Sequence, residues 1–406
     1  MQRSLVIAEV ALVVVVLVCA GLLIRTTLAL RGVDPGFAGA EQVQTLRISM
    51  RAAQVPDPEQ VARRQQQIVE ALAALPGVGA VGFASSMPMD EFNHQGGTIE
   101  VEDRPADQRR SGAIATRFKY MSPGYFEAVG MPLLAGRDLS WADLYDGRSV
   151  VLVSANMARA LWTTPTAALG KRIRVEGDAR WREVVGVVGD VREDGLREPA
   201  PAIVYLPTLR RISSPQMDVS GQMQISRSVI FAARSRLAGT EGFRRRTQKA
   251  VWSVDANLPI TSVRTLRDIY AQSLARTTFA AVMLVIAACA ALALGVVGLY
   301  GVISYAVSLR RREIAIRLAL GAEQGNVRRQ FVRHGVVLAA AGTVIGLFAA
   351  AGVTRLTSSL LYDVQPIDAL TYAAVAIGLM LVAALASYLP ARRASAVDPV
   401  ESLAAN

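Results

Sequence analysis

Few residues in this chain have the types and spacing that chemistry requires. The 406 residues include only two histidines, His94 and His334, and no Cys-x-x-Cys, His-Glu-x-x-His or Gly-x-Ser-x-Gly motif. His94 follows two acids in the segment 90–94, which could supply metal ligands or could simply be a solvated loop. A hydrolase would have to use one of these two histidines, so catalysis by this chain is not expected.

The sequence also lacks a loop that could hold ATP phosphates. The segment 165–172 comes nearest, with Gly170-Lys171, but it lacks the first glycine and the hydroxyl of a Walker A loop. We therefore predict that the chain does not bind ATP by this route and holds no cofactor.

Long apolar segments dominate the rest of the chain, in which 52% of residues are hydrophobic. A helix of about 20 apolar residues crosses a bilayer, and four windows satisfy that length: 4–30, 277–309, 335–354 and 369–389. The first could instead be a cleaved signal peptide, but it is longer than the usual apolar region of one. Glu9 lies about one turn inside it, where a carboxylate can reach the interface.

Charge predicts the orientation of these windows. Seven arginines lie between the second and third windows, and Arg392 and Arg393 follow the fourth. Cytoplasmic loops carry excess arginine, so both termini and the 310–334 loop are predicted to be cytoplasmic. About +6 of the net charge of +11 is spread over residues 31–276 and the rest is concentrated at the cytoplasmic face, which favours anionic lipid and argues against nucleic acid.

These windows divide the chain into predicted domains. The boundaries are 1–30 (first span), 31–276 (extracytoplasmic domain), 277–309 (second span), 310–334 (coupling loop), 335–354 (third span), 355–368 (outer loop), 369–389 (fourth span) and 390–406 (cytoplasmic tail).

The large extracytoplasmic domain alternates strand and helix patterns. Strand, helix, strand is expected over 43–85, with Asp57 capping the helix, and again over 228–263. A block at about 114–207 separates these halves, and 90–110 and 212–222 are predicted as loops. The expected fold is therefore an α-helical membrane protein with four transmembrane helices and a large α/β domain, a split ferredoxin-like domain with an inserted small α/β subdomain.

Two patterns in the membrane part suggest functional contacts. A basic, amphipathic helix is predicted over 310–322, either as a lipid-surface helix or as a coupling helix that docks in a partner. Small residues recur in the spans and predict close helix packing, within the chain or between copies, at Gly295, Gly298, Gly301, Gly342 and Gly346.

The segment 312–322 resembles the Arg-Glu-Ile-Gly-Ile-Arg motif of MacB- and FtsX-type ABC transporter permeases, with Ala315 where glycine is usual. The segments 390–403, 125–138 and 184–191 are similar to other parts of such permeases, notably the C-terminal half of the duplicated permeases found in acidobacteria. The resemblance makes 277–399 an FtsX-like permease domain. It implies a separate ABC ATPase subunit, docked on Arg312, Glu313, Ile314, Arg317, Leu318 and Gly321.

The resemblance implies further partners: a second copy or a paired permease half, and an extracytoplasmic adaptor. It also implies a bacterial inner membrane as the location and efflux or mechanotransmission as the activity. The alternative is an FtsX-like membrane regulator that activates extracytoplasmic cell-wall hydrolases. The duplicated relatives carry two such halves and this chain has one, so a short permease, a misassigned start and half of a longer protein all stay open.

Overall fold

The computed structural model describes residues 2–90, 95–105, 114–214, 219–309, 324–358 and 361–395. The chain forms two compact units. One comprises Met1–Gly32 with Arg276–Asn406, and the other is Val33–Ala275. They are called here the membrane domain and the α/β domain.

The elements follow one another along the chain in a simple order. The α-helices of the described residues are α1 (Gln2–Arg31), α2 (Pro58–Ala73), α3 (Tyr125–Val129), α4 (Trp141–Tyr145), α5 (Ala155–Trp162), α6 (Glu241–Val254), α7 (Leu266–Leu309), α8 (Gln324–Leu356) and α9 (Ala369–Ser395). The strands are β1 (Val43–Ser49), β2 (Val78–Ala84), β3 (Gln95–Val101), β4 (Ile114–Met121), β5 (Leu133–Gly136), β6 (Val150–Ser154), β7 (Arg172–Val175), β8 (Trp181–Val188), β9 (Ile203–Pro207), β10 (Leu209–Ser214), β11 (Val219–Ile225), β12 (Ser228–Ser235) and β13 (Ile260–Thr265).

Four helices of the described ranges, α1, α7, α8 and α9, are long and apolar enough to cross a membrane, as predicted. Their buried side chains form one apolar core around Val10, Val14, Leu299 and Ala339. Two of them extend beyond the apolar windows. The helix α8 begins at Gln324, and α7 begins at Leu266 as a single helix of 44 residues.

The start of α7 is fixed by its own side chains. The backbone N–H of Asp268 donates to Thr265 Oγ1 at 3.2 Å, and the backbone N–H of Thr265 donates to Asp268 Oδ2 at 2.8 Å. Such a reciprocal pair satisfies two of the N–H groups that a helix start leaves free. The helix therefore has a defined origin directly after β13.

One half of the α/β domain is the predicted split ferredoxin-like fold. Its strands lie in the order β13-β1-β12-β2 and are all antiparallel. Asp57 caps α2 by accepting from the backbone N–H of Glu59 at 3.1 Å, and Pro58 occupies the first turn. The helices α2 and α6 bury their apolar faces on this sheet, around Leu46, Phe83 and Phe231.

The inserted subdomain closes into a small barrel. Its strands follow the order β4-β3-β7-β8-β6-β9, and β9 pairs back with β4 in parallel. A second apolar core fills this barrel, with Ile99, Tyr120, Val153 and Leu206 among its buried side chains. Full closure leaves these strands without free edges. The barrel joins the ferredoxin-like sheet at β2 and β4, through the pair Ala84–Met121.

The two loop predictions were wrong in part. The residues predicted as loop at 90–110 include β3, which pairs with β4 and β7. Those predicted as loop at 212–222 include parts of β10 and β11, which pair with each other as a hairpin. Both segments are polar and contain glycine, so neither has the apolar alternation that marks a strand. Their partners, which lie elsewhere in the chain, supply the hydrogen bonds that hold them.

Candidate functional site

The helix α1 packs closely against α8 because α8 carries glycines at the contact. A Cβ on Gly342 would lie 2.7 Å from Val10 Cβ, and a Cβ on Gly346 would lie 2.7 Å from Val14 Cβ. Both distances are shorter than any ordinary carbon–carbon contact. At Gly342 and Gly346, both singled out in the sequence, α1 therefore leaves no room on α8 for a larger side chain.

On its other side α1 meets α7. A Cβ on Gly295 would lie 3.4 Å from Val13 Cγ2, and Gly298 faces the carboxylate of Glu9. No heavy atom of the described residues lies within 4 Å of the place a Cβ would take on Gly301. Thus four of the five predicted glycines contact α1, and α1 lies between two glycine-bearing helices.

Glu9 is partly buried, with its carboxylate seated against Gly298. A side chain at residue 298 would displace this carboxylate, since the two groups would occupy the same space. The sequence suggested only that Glu9 reaches the membrane interface. The structure places it instead at the contact between α1 and α7.

The opposite end of α1 is tied to the start of α9. Arg25 forms an ion pair with Asp368, and Asp368 also accepts hydrogen bonds from Thr371, at 2.8 Å from its backbone N–H and 2.5 Å from its hydroxyl. The bonds from Thr371 and Arg25 hold the pKa of Asp368 below its usual range. This cluster fixes the helix ends to each other through charge rather than apolar packing.

The predicted coupling residues Arg312, Glu313, Ile314, Arg317, Leu318 and Gly321 lie outside the described residues. The described helices on either side do locate the segment along the chain: α7 ends at Leu309 and α8 begins at Gln324. Arg329 and Arg333 are exposed in the first turns of α8. The segment therefore joins two consecutive spanning helices, beside exposed cations.

In the α/β domain the structure reveals a buried ion pair that the sequence did not indicate. Lys119 Nζ lies 2.5 Å from Glu193 Oε1, and each side chain is 3% exposed. Burial, the largest single influence, lowers the pKa of Lys119, but the charges and hydrogen bonds of Glu193 and Tyr125 together outweigh it and the pKa is raised. Burial raises the pKa of the adjacent Tyr125 to about 12. The cluster therefore holds one internal ion pair beside a neutral phenol.

The α/β domain contains a second buried carboxylate. Asp90, 2% exposed, forms ion pairs with Arg47 of β1 and with Arg264 of β13. Neither cluster could be found from the sequence, since Lys119 stands in an ordinary strand pattern and its partner is 74 residues away.

Within the described ranges no group of three or more His, Cys, Asp or Glu side chains is placed to hold a metal ion. His94, the candidate ligand from the sequence, falls outside those ranges. What the described geometry does provide is tight helix packing in the membrane domain and buried charge links in the α/β domain.

Comparison with known families agrees with this architecture. The MacB-like periplasmic core domain matches residues 5–238, and the FtsX-like permease C-terminal domain matches residues 285–399. The chain belongs to the MacB-type family of ABC transporter permeases. It is accordingly a multi-pass membrane protein of that family, as the motif at 312–322 predicted.

Individual relatives are distant. The macrolide export ATP-binding/permease protein MacB of Hahella chejuensis is 27% identical over 310 residues, which cover 73% of this chain and 44% of that protein. The uncharacterized ABC transporter permease YknZ of Bacillus subtilis is 26% identical over 283 residues, 70% of this chain and 68% of YknZ. The chain spans about half the length of the MacB relatives it matches.

Among solved structures, the periplasmic region of MacB from Actinobacillus actinomycetemcomitans matches with 15% identity and a TM-score of 0.35. The match covers 58% of this chain and 94% of that one.

Proposed function

We propose that this chain is the transmembrane permease subunit of an ABC transporter, and that it relays ATP-driven movement of a separate ATPase to its α/β domain. One observation carries the proposal. The MacB relatives are named as joint ATP-binding and permease proteins, and this chain matches permease domains while its 406 residues contain no Walker A loop. ATP is then bound by the partner subunit, and the chain itself needs no cofactor and catalyses no reaction.

The ATPase docks on the segment that joins α7 to α8. Arg312, Glu313 and Arg317 supply charges for an interface, and Ile314, Leu318 and Gly321 supply its apolar and close-packed part. A short amphipathic helix in a groove of the partner is a recurrent mode of recognition. The arginine excess of this segment assigns it to the cytoplasm, where ATP is available. Both termini then lie in the cytoplasm and the α/β domain lies outside it.

The helix α7 is the element suited to carry the movement. It runs unbroken for 44 residues from its capped start to Leu309, the last residue before the docking segment. At 1.5 Å per residue this is a helix of roughly 66 Å. A continuous helix transmits rotation or translation along its axis, because its backbone hydrogen bonds must break before it bends sharply.

The remaining partners follow from the same assignment. A second copy or a paired permease half completes the membrane part, an adaptor contacts the α/β domain, and anionic lipid surrounds the exposed arginines Arg329 and Arg333. The exposed apolar side chains along α7, such as Phe279, Ile286, Leu294 and Val297, offer a surface for lipid or for the second copy.

Co-purification and ATPase measurements test the docking site. The tagged chain is isolated from its native membrane with the nucleotide-binding subunit that accompanies it, and the pair is reconstituted in nanodiscs. Glu313→Ala combined with Arg317→Ala should weaken association of the two subunits by at least about tenfold, the effect of losing about 1.4 kcal/mol. Arg329→Ala, which removes an exposed arginine from the neighbouring helix, serves as the control and should change it little.

Equal association of the double variant and the control would exclude this docking site. Recovery of a cell-wall hydrolase whose activity depends on the α/β domain, without a stimulated ATPase, would favour the FtsX-like regulator instead.

A further inference from the structure

The residues that follow β2, 85–90, form a buried segment without regular structure. All six side chains are buried, and Ser85, Ser86, Met87, Met89 and Asp90 are each at most 5% exposed. Connecting segments usually run over the surface, because buried backbone must find hydrogen-bond partners. We call this segment, residues 85–90, the strap.

One end of the strap is attached to the start of α7. Asp90 pairs with Arg264, the residue before the N-cap of α7, and Arg264 also donates to Gln272 Oε1 in that helix at 2.8 Å. Ser273 Oγ, one residue further along α7, lies 3.5 Å from Met89 Sδ, and its hydroxyl donates to the carbonyl of Tyr270 at 2.8 Å. Asp90 also pairs with Arg47 of β1, so this end is fixed to the ferredoxin-like sheet as well.

The strap is also attached to the barrel, at both of its ends. The backbone N–H of Ser85 donates to the carbonyl of Tyr120 in β4 at 2.7 Å, and that of Met89 donates to the carbonyl of Glu193 at 3.0 Å. Ser86 Oγ lies 3.5 Å from Glu193 Oε1, the oxygen that pairs with Lys119 of β4. Glu193 therefore connects the strap to a barrel strand through both its backbone and its side chain.

The backbone of the strap has an unfavourable conformation at one residue. Met89 has φ of 62°, in the left-handed region that residues with a Cβ rarely adopt. Such a conformation persists only where surrounding contacts enforce it. Here the enforcing contacts are those to Ser273 and to Glu193, which lie on the two sides of the segment.

We propose that the strap is a mechanical link, through which displacement of the start of α7 is passed to the barrel by way of Asp90, Met89 and Glu193. The direction of that transfer rests on the proposed function, whereas the coupling itself does not. A buried segment with polar attachments at both ends has little freedom to absorb a movement at one end. Movement of Arg264 and Ser273 must therefore displace Glu193 and, through it, Lys119.

A double-mutant cycle on the full-length chain in detergent micelles tests the link without any ATPase. All four tryptophans, Trp141, Trp162, Trp181 and Trp252, lie in the α/β domain, so tryptophan fluorescence during urea titration reports its unfolding. Asp90→Asn removes the ion pairs of the strap with Arg47 and Arg264, and Glu193→Gln weakens its side-chain attachment to the barrel through Ser86 and Lys119. Once one attachment is removed, removing the second should destabilise the domain less. The effect of the double substitution on the unfolding constant should therefore be about tenfold smaller than the product of the two single effects.

A matched control uses another buried ion pair. Asp178 and Arg182 are 6% and 3% exposed and lie 2.7 Å apart within the barrel region, away from the strap. The cycle of Asp178→Asn with Asp90→Asn should be additive within about twofold, as for independent sites.

Additive behaviour of Asp90→Asn with Glu193→Gln, or equal non-additivity in the control cycle, would overturn the proposal. If Glu193→Gln does not fold, the milder pair Ser273→Ala and Ser86→Ala removes one contact from each end. In that pair non-additivity of about threefold or more supports the link, and additivity within twofold refutes it. Failure of the ATPase docking experiment would leave all these outcomes unchanged.

Discussion

Replacing Gly342 by alanine should push α1 away from α8. The new Cβ would lie 2.7 Å from Val10 Cβ and 2.9 Å from the carbonyl oxygen of Ile7. Carbon atoms in contact are separated by roughly 3.5–4.0 Å, so the helices must part by about 0.8 Å or more. Rotation of the valine side chain gives no relief, because its Cβ is fixed by the backbone of α1.

The expected cost follows from two opposing terms. Overpacking of a tight core costs about 1–3 kcal/mol, whereas glycine to alanine within a helix returns up to about 1 kcal/mol. We expect a net loss on the order of 1 kcal/mol, or about fivefold in the unfolding constant. Gly352→Ala is the matched control in the same helix, since no heavy atom of the described residues lies within 4 Å of its added Cβ.

The assay is reversible unfolding of the purified chain in mixed micelles by increasing SDS, followed by circular dichroism. The midpoint for Gly342→Ala should fall below that of the unmodified chain, and the midpoint for Gly352→Ala should be equal or higher. Equal midpoints for the two variants would refute the inference that glycine at residue 342 permits the close approach of α1.

Three further substitutions test individual contacts. Asp368 has a lowered pKa because of its bonds from Thr371 and a neighbouring arginine, so it stabilises the fold above about pH 4 and this contribution is lost as pH falls through the lowered value. Melting temperatures measured between about pH 5 and 2.5 should fall less steeply for Asp368→Asn than for the unmodified chain, because only the Asp368 contribution is removed. Asp143 completes a capping box and accepts two hydrogen bonds from Arg137. In urea titration, Asp143→Ala should lower the free energy of unfolding by about 2 kcal/mol. Asp146→Ala, which removes an exposed carboxylate, should lower it much less. Tyr205 buries a hydroxyl that has no hydrogen-bond partner among the described residues, so Tyr205→Phe should change stability by less than about 0.5 kcal/mol, or raise it.

Local signals in the sequence were enough to predict most of the helices and several strands. The cap at Asp57 with Pro58, and the apolar alternation of β1, are properties of a few adjacent residues, and the structure confirms both. The same holds for the two β-α-β halves, whose strands then assemble in the order β13-β1-β12-β2. The 312–322 motif was sufficient to identify the family, which the comparisons confirm.

The missed elements share one cause, which is that their stability comes from distant partners. The strand β3 is polar and begins Gln95-Gly96-Gly97, and it is held by β4 and β7. Lys119 reads as an exposed strand residue because Phe118 and Tyr120 on either side are apolar. Only the position of Glu193, 74 residues later, makes it a buried cation.

By itself the sequence determined where the chain can cross a membrane, because the thickness of the bilayer demands about 20 apolar residues and any such run is visible in one dimension. It also predicted close packing at five glycines, but not what each of them meets, and the added Cβ of Gly301 would meet no heavy atom of the described residues within 4 Å. The tertiary structure decided that Gly342 faces Val10 while Gly298 faces Glu9, and that β9 closes the barrel on β4. Those contacts join residues that are far apart in the chain, and they form only when the helices and strands pack together in the folded protein.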